Sequence, residues 1–141
     1  AARSMGVLID ASILIEHERG RLELEPHLDQ RPDEEFFLSV ISASELLHGV
    51  HHAVDAATRA RRAAWVEAVL DRFPLLPVDM QTARAHAQIW ADLSPRGQLI
   101  GPNDLWLAAS CIANGLVMVT ANERGFRRVP GLALESWARR A

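Results

Sequence analysis

Short, continuously apolar runs alternate along the chain with longer segments of helical periodicity. Four such runs stand out, at residues 6–9, 36–41, 75–78 and 116–119, and residues 132–135 form a candidate fifth. Strands buried on both faces of a sheet are apolar throughout, and helices placed between them favour parallel pairing. The pattern therefore predicts a parallel sheet of four to five short strands.

Amphipathic segments fill the spaces between these runs and predict the helices. A short helix follows Asp10, another begins near residue 42, and longer ones are expected at 59–73, 80–93 and 105–113. The positions expected to be buried in the helix at 80–93 are Ala83, Ala87, Ile89 and Trp90. Because helices follow the strands in turn, we expect a three-layer α/β/α domain.

The composition limits the kind of protein this is. With 141 residues the chain is expected to form one domain over residues 5–141, preceded by a non-native remnant at residues 1–4. The single cysteine excludes an intrachain disulfide, and the sequence shows neither a secretion leader nor an apolar stretch of roughly 20 residues. We therefore predict a cytoplasmic protein with no membrane role.

The charged residues argue against several function classes. The net charge is −3, and all 15 basic residues are arginine. Proteins that bind nucleic acid by neutralising many phosphates carry a basic stripe, so any RNA chemistry here must use a local site. Phosphoacceptor receiver domains resemble one another in using a lysine near the site, and P-loop enzymes need one in a glycine-rich loop. The lack of lysine disfavours both classes.

Three acidic residues occupy positions where parallel α/β sheets bind ligands. Asp10 directly follows the first strand, Glu45 lies about one turn into the helix after the second, and Asp104 opens the helix before the fourth. Ligands bind at the carboxyl ends of such strands, so neighbouring strands would bring these side chains together. Taken singly, Asp10 and Asp104 also suit helix N-termini. Ser42 and Glu45 likewise form a capping-box pattern.

Convergence of these carboxylates would favour a bound cation. Like charges raise one another's pKa, so three neighbouring carboxylates need compensation. A cluster of acids without histidine or cysteine ligands favours Mg²⁺ over Zn²⁺, with Mn²⁺ as the alternative ion. The chemistry indicated is phosphodiester hydrolysis, in which a metal ion activates water and offsets charge on the phosphate.

Four short motifs occur in order along almost the entire chain. They are Leu-Ile-Asp-Ala-Ser at 8–12, Ser-Glu-Leu-Leu-His-Gly at 44–49, Asp-Leu-Trp-Leu-Ala-Ala at 104–109 and Val-Thr-Ala-Asn at 119–122, followed by Phe126 and Val-Pro-Gly at 129–131. In this order they resemble the motifs of VapC-type PIN domains, the ribonuclease toxins of type II toxin–antitoxin systems. The resemblance implies a PIN-like fold and a Mg²⁺-dependent endoribonuclease.

The resemblance also implies a role for individual residues. Asp10, Glu45 and Asp104 would be the catalytic, metal-binding acids, and Ser12 and Asn122 would belong to the polar shell that supports them. It further implies two partners besides RNA, a VapB-like antitoxin that blocks the acidic cleft and a second copy of the chain.

The last motif departs from the family pattern. Family members often carry a further acidic residue at the position of Asn122 or of Gly125, and this chain has none at either. Glu123 is adjacent, but successive residues at a strand end point in different directions, so it is not assumed to substitute. The second metal site is therefore in question: either one ion suffices, or a second ion binds only with substrate. The missing acid also keeps a catalytically inactive binding module as the alternative function.

Arginines follow the last motif and are candidates for contact with RNA. Arg124, Arg127 and Arg128 could form paired hydrogen bonds to phosphate oxygens. Exposed arginines are common, so a solvated surface loop is an equally good interpretation.

Two further sets of residues are assigned to structure rather than chemistry. His48, His51 and His52 share one helical face, but the metalloprotease pattern of two histidines flanking a glutamate is missing, so surface histidines are expected. Cys111 lies on an apolar helix and is expected to be a packed core thiol.

Overall fold

The computed structural model describes residues 6–137, and its centre is a sheet of parallel strands. These strands are β1 (Val7–Ile9), β2 (Phe36–Ser39), β3 (Leu75–Leu76), β4 (Val117–Thr120) and β5 (Leu134–Ser136). Their order across the sheet is β3-β2-β1-β4-β5, and every neighbouring pair is parallel. The predicted parallel sheet is confirmed, with five strands.

The order of strands reverses at β1, and this reversal creates the crevice that holds the candidate site. Strands β2 and β3 lie on one side of β1, whereas β4 and β5 lie on the other. Val7 pairs with both Phe36 and Val117, and Ile9 pairs with Val119, so Asp10, which follows β1, lies beside Thr120 at the end of β4. Open α/β sheets bind ligands at the carboxyl ends of the strands at such a switch point.

Helices cover both faces of the sheet. They are α1 (Ala11–Glu18), α2 (Leu24–Asp29), α3 (Val40–His51), α4 (Ala56–Arg72), α5 (Met80–Leu93) and α6 (Pro102–Asn114). Val7 and Ile9 of β1 pack with side chains from α1 to α4, whereas Leu8 packs with side chains from α5 and α6. Successive strand residues point to opposite faces, so the short apolar strands fill two cores. The three-layer prediction is confirmed.

The junction between β2 and α3 differs from the prediction. The strand ends at Ser39 and the helix begins at Val40, two residues before the predicted start. The Ser39 side chain caps α3 by accepting a hydrogen bond from the Ile41 N–H at 3.0 Å. The capping box proposed for Ser42 and Glu45 is therefore wrong, because both residues lie inside the helix.

Other boundaries also differ. Helix α4 begins at residue 56 rather than 59, β3 is only two residues long, and α2 was not predicted. Helix α6 begins at Pro102, which places Asp104 third in the helix rather than before it. Proline suits this first position because it has no N–H to leave unpaired and its φ is already helical.

Helix α5 buries a different set of residues from the one expected. Its buried residues are Thr82, Ile89 and Leu93, so the prediction was right for Ile89. Ala83 is half-buried, and Ala87 and Trp90 are exposed, so the prediction was wrong for these two. The predicted remnant at residues 1–4 lies outside the described residues. No helix within residues 6–137 has both the length and the hydropathy needed to cross a bilayer.

Candidate active site at the switch point

Asp10 is buried at the carboxyl end of β1. Only 7% of the residue is exposed, and its Oδ2 accepts hydrogen bonds from Ser12 Oγ at 2.8 Å and from Thr120 Oγ1 at 2.7 Å. Asp10 is the residue preceding α1, but its side chain makes no capping hydrogen bond. The hydrogen bonds that hold the Asp10 carboxylate most strongly are therefore those from the two side-chain hydroxyls.

The two hydroxyl groups that bind Asp10 are themselves held by the backbone after β4. The Ala121 N–H donates to Ser12 Oγ at 3.1 Å, and the Asn122 N–H donates to Thr120 Oγ1 at 3.0 Å. Each hydroxyl has a single proton to donate. With the backbone N–H groups occupying acceptor positions, both protons point at the Asp10 carboxylate.

Glu45 and Asp104 approach Asp10 from two different helices. Burial, followed by the charges of Asp10 and Asp104, raises the pKa of Glu45 to about 7. Burial also raises the pKa of Asp104 to about 6, with a contribution from Asp10. The pKa of Asp10 is raised by burial, against the effect of the Thr120 and Ser12 hydrogen bonds. The structure therefore brings the three predicted acids into one electrostatically coupled group.

The oxygen donors of this group fit a hard divalent cation. Glu45 Oε1 is buried and has no hydrogen-bond partner among the described residues, so this oxygen is available to a cation. Within residues 6–137, however, no set of three or more His, Cys, Asp or Glu side chains is already arranged as a metal site. Mutual repulsion among carboxylates opposes a closed arrangement in the absence of a cation.

Gly125 is one of the two positions at which the family pattern led us to expect a further acidic residue. A Cβ atom added to Gly125 would lie 3.9 Å from Asp104 Oδ2 and 3.5 Å from Ile100 Cγ2. The backbone at Gly125 has φ −69°, which any residue can adopt. A side chain at position 125 would therefore extend beside the acidic group, and the glycine itself places no carboxylate there.

The predicted polar shell is partly supplied by another residue. The Ser12 side chain binds Asp10 directly, whereas the contribution of Asn122 seen in the structure is its backbone N–H. Thr120, which sequence reasoning missed, is fully buried and makes the shorter hydrogen bond to Asp10. The signal that could have found it is a hydroxyl residue at the last position of an otherwise apolar strand.

The three arginines of the last motif are in different situations. Arg127 forms an ion pair with Glu123, and Arg128 donates to the Leu99 carbonyl oxygen at 3.3 Å. Arg124 is exposed and makes no hydrogen bond or ion pair within the described part of the chain. Its guanidinium is the one of the three that is free to bind a phosphate.

Cys111 matches its structural interpretation, and the three histidines lie at the surface as expected. Cys111 is buried in α6, and burial followed by the charge of Asp10 raises the pKa of its thiol. A neutral, buried thiol is a poor nucleophile. The side chains of His48, His51 and His52 are exposed at the end of α3.

Comparison with known families identifies relatives of the chain. A family model described as PIN domain matches residues 7–132. The chain is 33% identical over 130 residues to Ribonuclease VapC1 of Rickettsia felis, covering 91% of this chain and 93% of the relative. It is 36% identical over 100 residues to the tRNA(fMet)-specific endonuclease VapC of Salmonella typhimurium, covering 71% and 74%.

Solved structures show the same fold. VapBC2 from Rickettsia felis, bound to a DNA fragment from its promoter, superposes with a TM-score of 0.87 at 23% identity over 94% of this chain and 99% of that one. VapBC-5 from Mycobacterium tuberculosis, a member of the VapBC family of toxin–antitoxin systems, superposes with a TM-score of 0.75 at 28% identity over 95% and 98%.

Proposed function

We propose that this chain, which belongs to the PIN-domain family and within it to the VapC ribonucleases, is a metal-dependent endoribonuclease and the toxin of a type II toxin–antitoxin pair. The observation that carries the proposal is the coupling of Asp10, Glu45 and Asp104 at the switch point of the sheet. Burying like charges together destabilises a fold, so an arrangement of this kind indicates a site selected for function.

The proposed cofactor is Mg²⁺, with Mn²⁺ as the alternative ion. Asp10, Glu45 and Asp104 would hold it through carboxylate oxygens. The strongest support for this role is the buried Oε1 of Glu45, which has no hydrogen-bond partner within residues 6–137. Mg²⁺ retains several waters, so the three acids need not all touch it directly. When bound, such an ion supplies an activated water and offsets charge on a phosphate.

The chain's own residues orient and ionise the acids. The hydroxyls of Ser12 and Thr120 donate to Asp10 and thereby favour its charged form against the cost of burial. The backbone N–H of Asn122 fixes the Thr120 hydroxyl. Arg124 is the best placed of the three predicted arginines to bind an RNA phosphate, and Arg127 and Arg128 would first have to leave their present partners.

An inactive binding module is the second candidate, and one observation favours it. Gly125 leaves the space beside Asp104 without the further acid that family members often carry. Such a module would engage a protein partner and leave RNA intact. An activity assay separates the two candidates directly.

The test is cleavage of total RNA by the purified chain in Mg²⁺, compared with Asp10→Asn and Asp104→Asn. We expect each substitution to lower the rate by at least about a hundredfold, because a metal ion supplies several kcal/mol of transition-state stabilisation. Asp92→Asn, which changes an exposed acid on α5, is the matched control and should retain activity. Equal RNA decay by all four proteins, or full activity in excess EDTA, would end the proposal.

An antitoxin is the proposed protein partner. VapBC-5 is a toxin–antitoxin system, and the acidic group of this chain would attract a basic inhibitory segment, for example one with an arginine directed at the carboxylates. Since the substrate is cellular RNA, we also propose that the chain acts in the cytoplasm.

A second copy of the chain is the other proposed partner. Trp90 and Leu99 are 52% and 45% exposed, and with Trp106 they line an apolar groove between α5 and the start of α6. Exposed apolar patches of this kind are typical of protein interfaces. Light scattering should show a dimer for the wild type and a monomer for Trp90→Glu, and a monomeric wild type would contradict the proposal.

A further inference from the structure

His48 and His52 form a pair of parallel imidazoles at the end of α3. Their ring centroids are 5.8 Å apart, and the ring planes differ by only 27°. The His52 N–H donates to the His48 carbonyl oxygen at 3.0 Å, so the residues are one helical turn apart. Within residues 6–137 neither ring makes a hydrogen bond, and both side chains are exposed. Their ring nitrogens are therefore available to a ligand.

We propose that His48 and His52 form a surface site for a borderline transition-metal ion such as Zn²⁺, Ni²⁺ or Cu²⁺. Neutral imidazole suits these ions, whereas carboxylate oxygens suit Mg²⁺ and Mn²⁺. The site is therefore chemically distinct from the acidic group at the switch point. It does not depend on nuclease activity.

The geometry of the pair agrees with two-point chelation. Residues four apart on a helix present their side chains side by side, and nitrogen ligands bind Zn²⁺ at about 2.0–2.1 Å. Both side chains are exposed, so rotation between staggered side-chain conformers can direct one nitrogen of each ring to a common point. Water completes the coordination, since no third His, Cys, Asp or Glu among residues 6–137 joins them.

The location at the end of the helix adds to the attraction of a cation. His48 lies in the last turn of α3, which ends at His51, and His52 is the residue that caps it. Carbonyl groups at a helix C-terminus carry partial negative charge and stabilise cations. A dication bridging His48 and His52 would also fix the final turn of the helix.

His51 provides a matched control because it is exposed on the same helix but is not part of the stacked pair. Calorimetric titration with Ni²⁺ and Zn²⁺, in excess Mg²⁺ to compete at the acidic group, should show one binding site per chain. His48→Ala and His52→Ala should each lower the affinity for the metal ion at least about tenfold. A loss of this size is already typical when a residue that only supports a metal ligand is removed. His51→Ala and Asp104→Asn should bind like the wild type.

Copper provides a second measurement that reports the ligand atoms. Electron paramagnetic resonance of the Cu²⁺-loaded chain should show coupling to two imidazole nitrogens, and to one in either single variant. No binding to the wild type, unchanged binding in His48→Ala or His52→Ala, or loss in Asp104→Asn alone would each overturn the proposal. Circular dichroism verifies that every variant is folded, as expected for the exposed histidine positions.

Discussion

The three acids differ in how firmly the fold holds them. Asp10 is fixed by two hydroxyls from opposite sides of the switch point, whereas Glu45 has a buried oxygen that no described residue hydrogen-bonds. Asp10 is therefore oriented before any ion binds. Glu45 and Asp104, each on its own helix, can adjust to the ion.

Thr120→Val tests whether the second hydroxyl positions Asp10. Valine keeps the shape of threonine but removes the donor to Asp10 Oδ2. We expect the free energy of unfolding to fall by about 1–2 kcal/mol, and the Mg²⁺ concentration for half-maximal cleavage to rise about tenfold or more. Thr120→Ser keeps the hydroxyl, so its Mg²⁺ concentration for half-maximal cleavage should match that of the wild type. An unchanged Mg²⁺ requirement in Thr120→Val would show that Ser12 alone positions the acid.

Gly125→Asp tests whether one missing side chain limits the number of metal ions. The space beside Asp104 and the ordinary backbone angles of Gly125 allow a side chain there. We expect titration calorimetry with Mn²⁺ to show one ion bound by the wild type and two by Gly125→Asp. Gly125→Asn, which has the same size without the charge, should bind one. Two ions in the wild type would place the second site elsewhere.

Among single residues of the candidate site, the charged ones are easier to predict from sequence than the neutral ones. Asp10, Glu45 and Asp104 can be found because acids next to apolar strands are conspicuous. Thr120 cannot, because threonine is also an ordinary strand residue. Its role depends on the register that sets β4 level with β1, which no local pattern encodes.

Among the elements, the start of α3 determines where Glu45 is placed. Val40 and Ile41 extend the apolar run of β2, and their branched side chains favour a strand. Ser39 nevertheless ends the strand by accepting the Ile41 N–H. The capping hydrogen bond of Ser39 therefore outweighs the strand preference of Val40 and Ile41. This explains why helix α3 begins two residues before the predicted start.

Ser39→Ala should weaken this junction. The residue is fully buried, and loss of an N-cap costs about 1 kcal/mol of unfolding free energy. Ser44→Ala, at an exposed position inside α3, is the control and should be neutral or slightly stabilising because alanine favours helices. Urea denaturation measures both. Equal stability of Ser39→Ala and the wild type would mean that packing alone starts the helix.

Helix α2 shows why some elements escape prediction altogether. It has only six residues, includes Pro26, and buries Leu24 alone. Periodicity needs several apolar positions on one face, and a helix of this length does not supply them. The first four strands were predictable because each lies in a largely apolar run, whereas β5 contains a glutamate and a serine and was only a candidate. The order of the strands across the sheet depends on contacts between distant segments.

For the whole molecule, the acidic group makes stability depend on pH in an unusual direction. Carboxyl groups usually have a lower pKa in the folded state, so folded proteins gain stability as pH rises from acid. Here the pKa of Glu45 is raised from 4.5 to about 7 and that of Asp104 from 3.8 to about 6. The folded state therefore binds more protons than the unfolded state between these limits. In the absence of metal, ionisation of these two groups therefore lowers the free energy of unfolding as pH rises from about 4 to about 7.

Glu45→Gln isolates this contribution, because glutamine has no charge to lose at any pH. In EDTA, the melting temperature of Glu45→Gln should match that of the wild type near pH 4 and exceed it above pH 7, where wild-type Glu45 is ionised and buried beside two other acids. Mg²⁺ should raise the wild-type melting temperature mainly above pH 7, since only ionised carboxylates bind it, and should raise that of the variant less.

A variant that is less stable than the wild type above pH 7 in EDTA would show that Glu45 stabilises the fold through a contact that outweighs repulsion. The acids would then be structural rather than held in place for a cation.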